Sequence, residues 1–336
     1  MGNLNDENET TEYLDVAYWE QIITTIMIGL VAVAGIIGNS MIIMAVAFSC
    51  KLQTSTNALV TSLGVTDLLT SVMLVFYLIG TLGKPEEGGW PYPKAYWVCQ
   101  ITAFVLYAAI GTSLYHMASI ALNRFVLIVK PSLYPVLFAR WKLGLFILVP
   151  WIVPSVGIMI LVLSGIGEFG YDPADLACAA VDYPGNTLAL SLLITLIGFP
   201  VPLVVISVSY VRIYVHVKKH FQKMKRQTEQ TFASITGSKA STDSVLTMSS
   251  HAETDVNKSQ RTVDRPEALE KIAALKKNQI LQQQVKITKN LFMTFCAFLL
   301  CFLPYFILIF VPNSEHSLFY TKVLIYANCA INLKLY

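Results

Sequence analysis

Charge is scarce in this chain. Only 13% of its residues are Asp, Glu, Lys or Arg, against 55% hydrophobic. So little charge excludes an ordinary water-soluble globule, and a bilayer must supply most of the solvent. Chemistry-bearing motifs are missing too. No CxxC, no HExxH, no phosphate-cradling glycine loop and no intramembrane Ser-His, Cys-His or paired-Asp arrangement stands in the apolar stretches, so an enzyme is not expected. A cleavable leader is absent as well. Residues 1–20 carry Asp6, Glu7, Glu9, Glu12, Asp15 and Glu20 with no basic n-region, and the first apolar run is expected to act as its own uncleaved signal. The net charge of +3 is too small to suggest nucleic acid.

What is present is a series of apolar runs at 22–48, 59–82, 97–129, 143–163, 188–217, 291–311 and 318–336. Each is long enough to cross a bilayer as a helix of about 20 residues. The ten-residue alternation of a membrane barrel is missing, so helices remain as the way to satisfy the backbone in lipid. The expected fold is an all-α membrane protein, a seven-transmembrane helix bundle. Lys51, Arg140, Lys142, Lys218, Lys219, Lys286 and Lys289 flank the runs on one side, and Lys84, Lys94 and Lys322 lie on the other. That excess makes the first side cytoplasmic and places the N-terminus outside. Residues 1–21 then form an extracellular tail with a glycosylation acceptor at Asn8, although 257–259 matches the same pattern on the inner side. Residues 22–217 hold spans one to five, 218–285 a long inner loop, and 286–336 spans six and seven with a shortened end.

Of six cysteines, only Cys99 and Cys178 fall at outer boundaries, where the oxidising compartment permits a disulfide between them. Cys50 belongs to the first inner loop, and Cys296, Cys301 and Cys329 read as small buried hydrophobes. The inner loop is polar over 220–284, with a middle that lacks helical periodicity and reads as disordered. From Pro266 a helical pattern begins, with Leu269, Ile272, Ala273, Leu275, Ile280 and Leu281 among Glu, Lys and Gln. This helix is either a partner-binding surface or a solvated prolongation of span six.

Arg124 lies twenty-five residues after Cys99 in the third run, roughly 37 Å along a helix, which carries a cysteine at one membrane face to an arginine at the other. Gly38-Asn39, Leu63 with Asp67, Trp90, Cys99 to Arg124, Trp151, Pro202 to Tyr210, and Phe298 with Cys301-Phe302-Leu303-Pro304 follow in order. Together they resemble the rhodopsin-like G-protein-coupled receptors over nearly everything outside the termini and inner loop. Asn123-Arg124-Phe125 before Val126-Leu127-Ile128, the outer loop 167–172 leading to Cys178, and Ile287-Thr288-Lys289 are similar to the trapped-in-endoderm and Moody group, with melatonin receptors more distant.

The resemblance implies a plasma-membrane receptor that binds an extracellular ligand, acts on a heterotrimeric G protein and meets arrestin, with roles in guided cell migration or epithelial barrier control. It assigns coupling and switching to Asn123, Arg124, Phe125, Tyr210, Phe298, Phe302, Pro304 and Tyr336. A modulatory sodium ion falls to Asp67, Ser113, Asn328 and Asn332. An ionisable group inside an apolar helix is a functional candidate in its own right, and Asp67 also leaves a small transporter or channel as the competing reading, without the internal symmetry that transporters show.

The ligand pocket falls to Leu106, Tyr107, Ile110, Phe199, Phe302, Tyr305 and Tyr326, an apolar and aromatic lining suited to a lipid-like or neutral molecule. Leu106 stands where amine receptors have aspartate, and Tyr326 where opsins have the retinal lysine. Asp172, Asp175 and Asp182 keep a basic peptide open. Departures are Phe302 for tryptophan, residues 332–336 for the NPxxY-type ending, Asn123 for aspartate, and Gln284 where the acidic partner of Arg124 is usual. The ending points to a chain cut short. Loss of both ionic restraints on Arg124 predicts raised basal signalling.

Overall fold

The computed structural model describes residues 18–82, 90, 92–172, 176–182, 189–242, 260–311 and 315–331. Its long helices are α1 (Tyr18–Phe48), α2 (Ser55–Leu82) and α3 (Tyr96–Val129), then, after the short α4 (Tyr134–Leu137), α5 (Arg140–Leu163). A hairpin of β1 (Gly167–Asp172) and β2 (Ala177–Asp182) follows, then α6 (Ala189–Gly198), α7 (Pro200–Thr242), α8 (Gln260–Leu308) and α9 (Glu315–Ile331). Six helical stretches among the described residues are long and apolar enough to cross a membrane. α9, at 17 residues, is the seventh apolar element of the bundle.

Three features differ from the pattern read in the sequence. The fifth run is not one rod: it breaks between α6 and α7 at Phe199, because Pro200 has no N–H and biases the residue before it away from helical torsions. The polar segment is helical through Thr242 and again from Gln260, six residues before Pro266. Its Lys, Arg, Gln, Glu and Met residues are straight-chain helix formers that need no apolar stripe to propagate a helix already begun in lipid. Residues 243–259 lie outside the described residues, as do Asn8, Lys84, Asp175, Asn332 and Tyr336. The third feature is the hairpin, paired from Gly167–Asp182 to Asp172–Ala177.

α3 runs through the centre, packed on α2, α5, α7 and α8, while α9 returns against α1 and α2 and closes the bundle. α1 and α5 expose Leu30, Val33, Ile37, Ile152, Val156 and Ile160, the apolar outer surface that lipid requires. Hydroxyls inside the bundle bond back to carbonyls four residues earlier, with Thr70 Oγ1 2.9 Å from Thr66 O and Ser71 Oγ 2.7 Å from Asp67 O, and so need no partner from lipid.

The end of α5 sets the hairpin. Gly165 adopts φ +72°, its N–H bonds Val162 O at 3.0 Å, and Ile166 N–H bonds Leu161 O at 3.5 Å. This is the Schellman termination, which favours glycine at the left-handed position. The chain then turns across the bundle to the Cys99–Cys178 disulfide, with Cα atoms 5.2 Å apart.

α5 meets α3 at small surfaces. A Cβ on Gly111 would stand 2.8 Å from Pro154 Cβ, whereas Gly157 faces open space. Pro154 is a rigid ring, so Gly111→Ala must push α5 off α3 and is expected to cost about 1–3 kcal/mol. Thermal unfolding of the purified protein in nanodiscs should fall for Gly111→Ala and not for Gly157→Ala.

Candidate functional site

At the Arg124 end of the bundle, three interactions fix the last turns of α3. Arg124 Nη1 donates to Gln284 Oε1 of α8 at 2.7 Å. Asn123, fully buried, turns the other way: its Oδ1 accepts from Thr56 Oγ1 at 2.6 Å and its Nδ2 lies 3.4 Å from the Tyr134 hydroxyl. The absence of a carboxylate on either side of Arg124 therefore does not release it. A neutral amide from α8 occupies the place of the acidic partner, and guanidinium makes its bond stronger than one between neutral groups. Phe125 is half-buried against the core.

A crevice one turn deeper is lined by Leu63, Met117, Ile120, Leu291, Phe295, Thr294 and Tyr210. The Tyr210 ring of α7 meets Phe292 at 5.0 Å and Phe295 at 6.5 Å, so α7 and α8 are joined here through aromatic faces. Deeper still, Ser113 Oγ donates to Asp67 Oδ1 at 3.1 Å. Asn39 Nδ2 donates to Gly35 O and Cys329 O, each at 2.9 Å, and ties α1 to α9. The Oδ1 atoms of Asn39 and Asn328 are buried and have no hydrogen-bond partner. A carboxylate, a hydroxyl and a buried amide oxygen are the hard donors that a sodium ion takes, so the residues present fit such an ion. Asn332, the fourth expected ligand, lies outside the described residues.

Between these levels is a network the sequence reading did not single out. His116 is fully buried, its Nδ1 2.9 Å from Thr112 O and its Nε2 2.7 Å from Ser62 Oγ. Trp151 Nε1 donates to the same Ser62 oxygen at 3.1 Å. A carbonyl can only accept, so Nδ1 carries the proton, Ser62 donates to Nε2, and the relay from Trp151 closes with every donor used. It joins α5, α2 and α3. The signal was in the sequence: Thr112 and His116 are four apart in an apolar run, on one face of a helix.

Toward the Cys99 end, Phe298, Phe302 and Phe199 form a column. Phe302 stacks on Phe298 at 4.4 Å and meets Phe199 at 5.6 Å. Tyr326 meets Tyr77 edge-on at 5.4 Å. Leu106, Phe302 and Tyr326 are buried in one apolar cluster, with Ile110, Phe199 and Tyr305 against it. Pro304, half-buried, lies in the same part of α8. Tyr107 is the exception among the expected pocket residues. It packs on Phe169 of β1 at 5.6 Å, as Phe104 does at 5.9 Å, in the separate cluster with Trp90, Tyr171 and the disulfide. Adjacent helix positions are turned about 100° apart, so Leu106 and Tyr107 cannot both face the same space. The hairpin thus covers the Cys99 end, with Phe169 and Tyr171 as buried aromatic residues.

A family model described as 7 transmembrane receptor (rhodopsin family) matches residues 38–336. The chain belongs to the rhodopsin family of seven-transmembrane receptors. It is 27% identical over 332 residues to the G-protein coupled receptor moody of Drosophila melanogaster, covering 93% of this chain and 48% of that protein. It is 29% identical over 205 residues to Protein trapped in endoderm-1 of the same organism, covering 61% and 50%. It is 25% identical over 200 residues to the human Melatonin receptor type 1B, covering 57% and 51%. The chain thus spans about half the length of these curated relatives. The crystal structure of squid rhodopsin superposes with a TM-score of 0.69 at 18% identity, over 94% of this chain and 81% of that one. Membership of a receptor family removes the transporter or channel reading of Asp67, and makes this receptor a multi-pass membrane protein.

Tyr171 of the receptor's hairpin is buried, and this, with the Asp172 carboxylate next to it, pushes its phenol from 10.0 up to about 12. The folded state therefore holds the proton more tightly than the unfolded chain. The corresponding stability is present in full below the ordinary value and is lost as pH rises through about 12. Melting curves between about pH 8 and pH 12 should fall more steeply for wild type than for Tyr171→Phe, with the two converging in slope at the neutral end.

Proposed function

We propose that this chain is a plasma-membrane receptor with its Cys99 end outside, which takes a lipid-like ligand beneath the hairpin and promotes GDP release from a heterotrimeric G protein at the Arg124 end. The observation that carries the reading is the Arg124–Gln284 hydrogen bond, 2.7 Å long, between α3 and α8. It is the contact that an outward swing of α8 would have to break, and Arg124 is a permanently charged fork that can then change partners. Tyr210 is the proposed new partner, together with the C-terminal segment of the G protein. Arrestin would meet the same end. Similarity to moody and to Protein trapped in endoderm-1 supports a role in epithelial barrier control or guided cell migration.

The pocket is proposed at Leu106, Ile110, Phe199, Phe302, Tyr305 and Tyr326, with Tyr107 acting through the Phe169 lid. Phe298 and Phe302 would pass a change in the pocket down α8, where Pro304 removes a backbone hydrogen bond and lets the helix bend. Sodium is the proposed modulator at Asp67, Ser113 and Asn328.

A hydrogen bond to a charged group contributes ~1.5–3 kcal/mol when buried, and less at a half-exposed site such as Gln284. Gln284→Ala is therefore expected to raise basal nucleotide exchange about 3- to 10-fold, and Gln284→Glu, which restores an ion pair, to lower it by a similar factor. Asn123→Asp should also lower it. Exchange on a panel of purified G proteins, with the receptor in nanodiscs, checks all three, and Arg124→Ala should abolish it. Equal rates in wild type and both Gln284 variants would sink the assignment of this bond as the restraint.

A further inference from the structure

α7 outlasts its apolar stretch. It runs unbroken from Pro200 to Thr242, so side chains beyond the span stay in helical register with those inside it. Within the span, Val201, Val204, Val208, Val211 and Val215 are exposed at spacings of three and four, one stripe turned away from the bundle. Ile206, Ser209 and Ile213 are buried on the other side. Past Val215 the stripe changes chemistry. Lys219, Lys223 and Arg226 continue it at spacings of four, four and three, all exposed, and Arg212, four after Val208, is exposed beside the last valines. The helix carries no Asp or Glu from Pro200 to Gln227.

Basic residues collect on the inner side of membrane proteins in general, but that rule sets the side of the bilayer and not the face of a helix. Here the cations prolong the face that already meets lipid. Lys218 shows the contrast: it is turned off the stripe and lies over the Tyr214 ring, its Nζ 5.9 Å from the centroid. Depth narrows the partner further. Arg212 stands among the last valines, and its long stem reaches the phosphodiester layer. Lys219 is about 10 Å farther along the axis, and Lys223 about 6 Å beyond that. A serine headgroup keeps its charge close to the diester. A headgroup with phosphates on an inositol ring carries charge outward, to the level of these lysines.

We propose that the lipid-facing stripe of α7 binds a polyphosphorylated inositol lipid of the inner leaflet. The chains lie on the valines, the diester meets Arg212, and the ring phosphates meet Lys219, Lys223 and Arg226 in charge-assisted bonds. The valines select the lipid over a free inositol phosphate, because only the lipid has chains to lay on them. The site requires neither the ligand pocket nor the G protein, and it rests on the orientation proposed above.

The test is native mass spectrometry of the purified receptor in detergent, given equal amounts of phosphatidylcholine, phosphatidylserine and phosphatidylinositol bisphosphate. Wild type should bind the bisphosphate at least about tenfold more tightly than phosphatidylserine. One surface cation changes the binding of an anionic lipid about fivefold. Lys219→Gln/Lys223→Gln/Arg226→Gln should therefore weaken the bisphosphate at least about tenfold and bring it level with phosphatidylserine. Lys218→Gln/Lys225→Gln/Lys276→Gln removes equal charge off the stripe and should keep the preference. Inositol trisphosphate, the free headgroup, should compete at least about tenfold less well than the lipid.

Equal binding of bisphosphate and phosphatidylserine to wild type overturns the proposal, whether or not the stripe variant folds. So does loss of the preference in the off-stripe variant, since total charge is then the cause. A free headgroup that competes as well as the lipid overturns it too. If the stripe variant keeps the preference but lowers nucleotide exchange in phosphatidylcholine nanodiscs, the stripe meets the G protein instead, and the proposal falls. A micelle has no inside, so none of these outcomes depends on orientation. Labelling of intact cells by an antibody to an epitope inserted after Thr242 would overturn the orientation, and with it the inner leaflet as the source of the lipid.

Discussion

Hydrocarbon offers no hydrogen bonds, so a polar side chain on a central helix must be answered by another helix, and the answers fix which helices can be neighbours and in what register. In this receptor α3 carries the questions. Ser113 is answered by Asp67, His116 by Ser62 and through it by Trp151, Asn123 by Thr56 and Tyr134, and Arg124 by Gln284. A slip of α3 by a single residue would break several of these at once. Apolar packing alone is far more forgiving, because one leucine can replace another along a lipid-like interface. The polar ladder therefore turns a set of hydrophobic rods into one arrangement.

The ladder also separates what is fixed from what can move. Its upper rungs reach α2, α4 and α5, and the last, at Arg124, reaches α8. α8 is held elsewhere by aromatic faces, Tyr210 on Phe292 and Phe199 on Phe302, which slide at lower cost than hydrogen bonds break. The bond between a guanidinium and an amide is one point at which motion of α8 away from α3 is resisted. Its strength is intermediate between an ion pair and no contact, and the resting state is held accordingly.

Much of this was legible in the sequence, and for physical reasons. Apolar runs locate spans because the bilayer demands length, and Cys99 with Cys178 stood out because chemistry confines a disulfide to one side. What escaped notice required knowing direction as well as position. Gln284 read as the lack of an acid, and the hydrogen bond it makes needed coordinates. Tyr107 was grouped with Leu106 by resemblance, although consecutive helical residues diverge. The helix through Thr242 was missed, and the one from Gln260 was read only from Pro266, because periodicity is the signal for a buried face, and a helix in water need not have one.

The continuity of α8 from Gln260 to Leu308 makes it a lever with unequal arms. Measured from Pro304 at 1.5 Å per residue, Gln284 is about 30 Å away and Gln260 about 66 Å. A rigid tilt of about 10° about that proline would move Gln284 by about 5 Å and the far end by about 11 Å. The helix thus has a mechanical gain of about two beyond the bond that restrains it. A protein gripping the far end would work against that hydrogen bond with leverage, while one gripping near Arg124 would not.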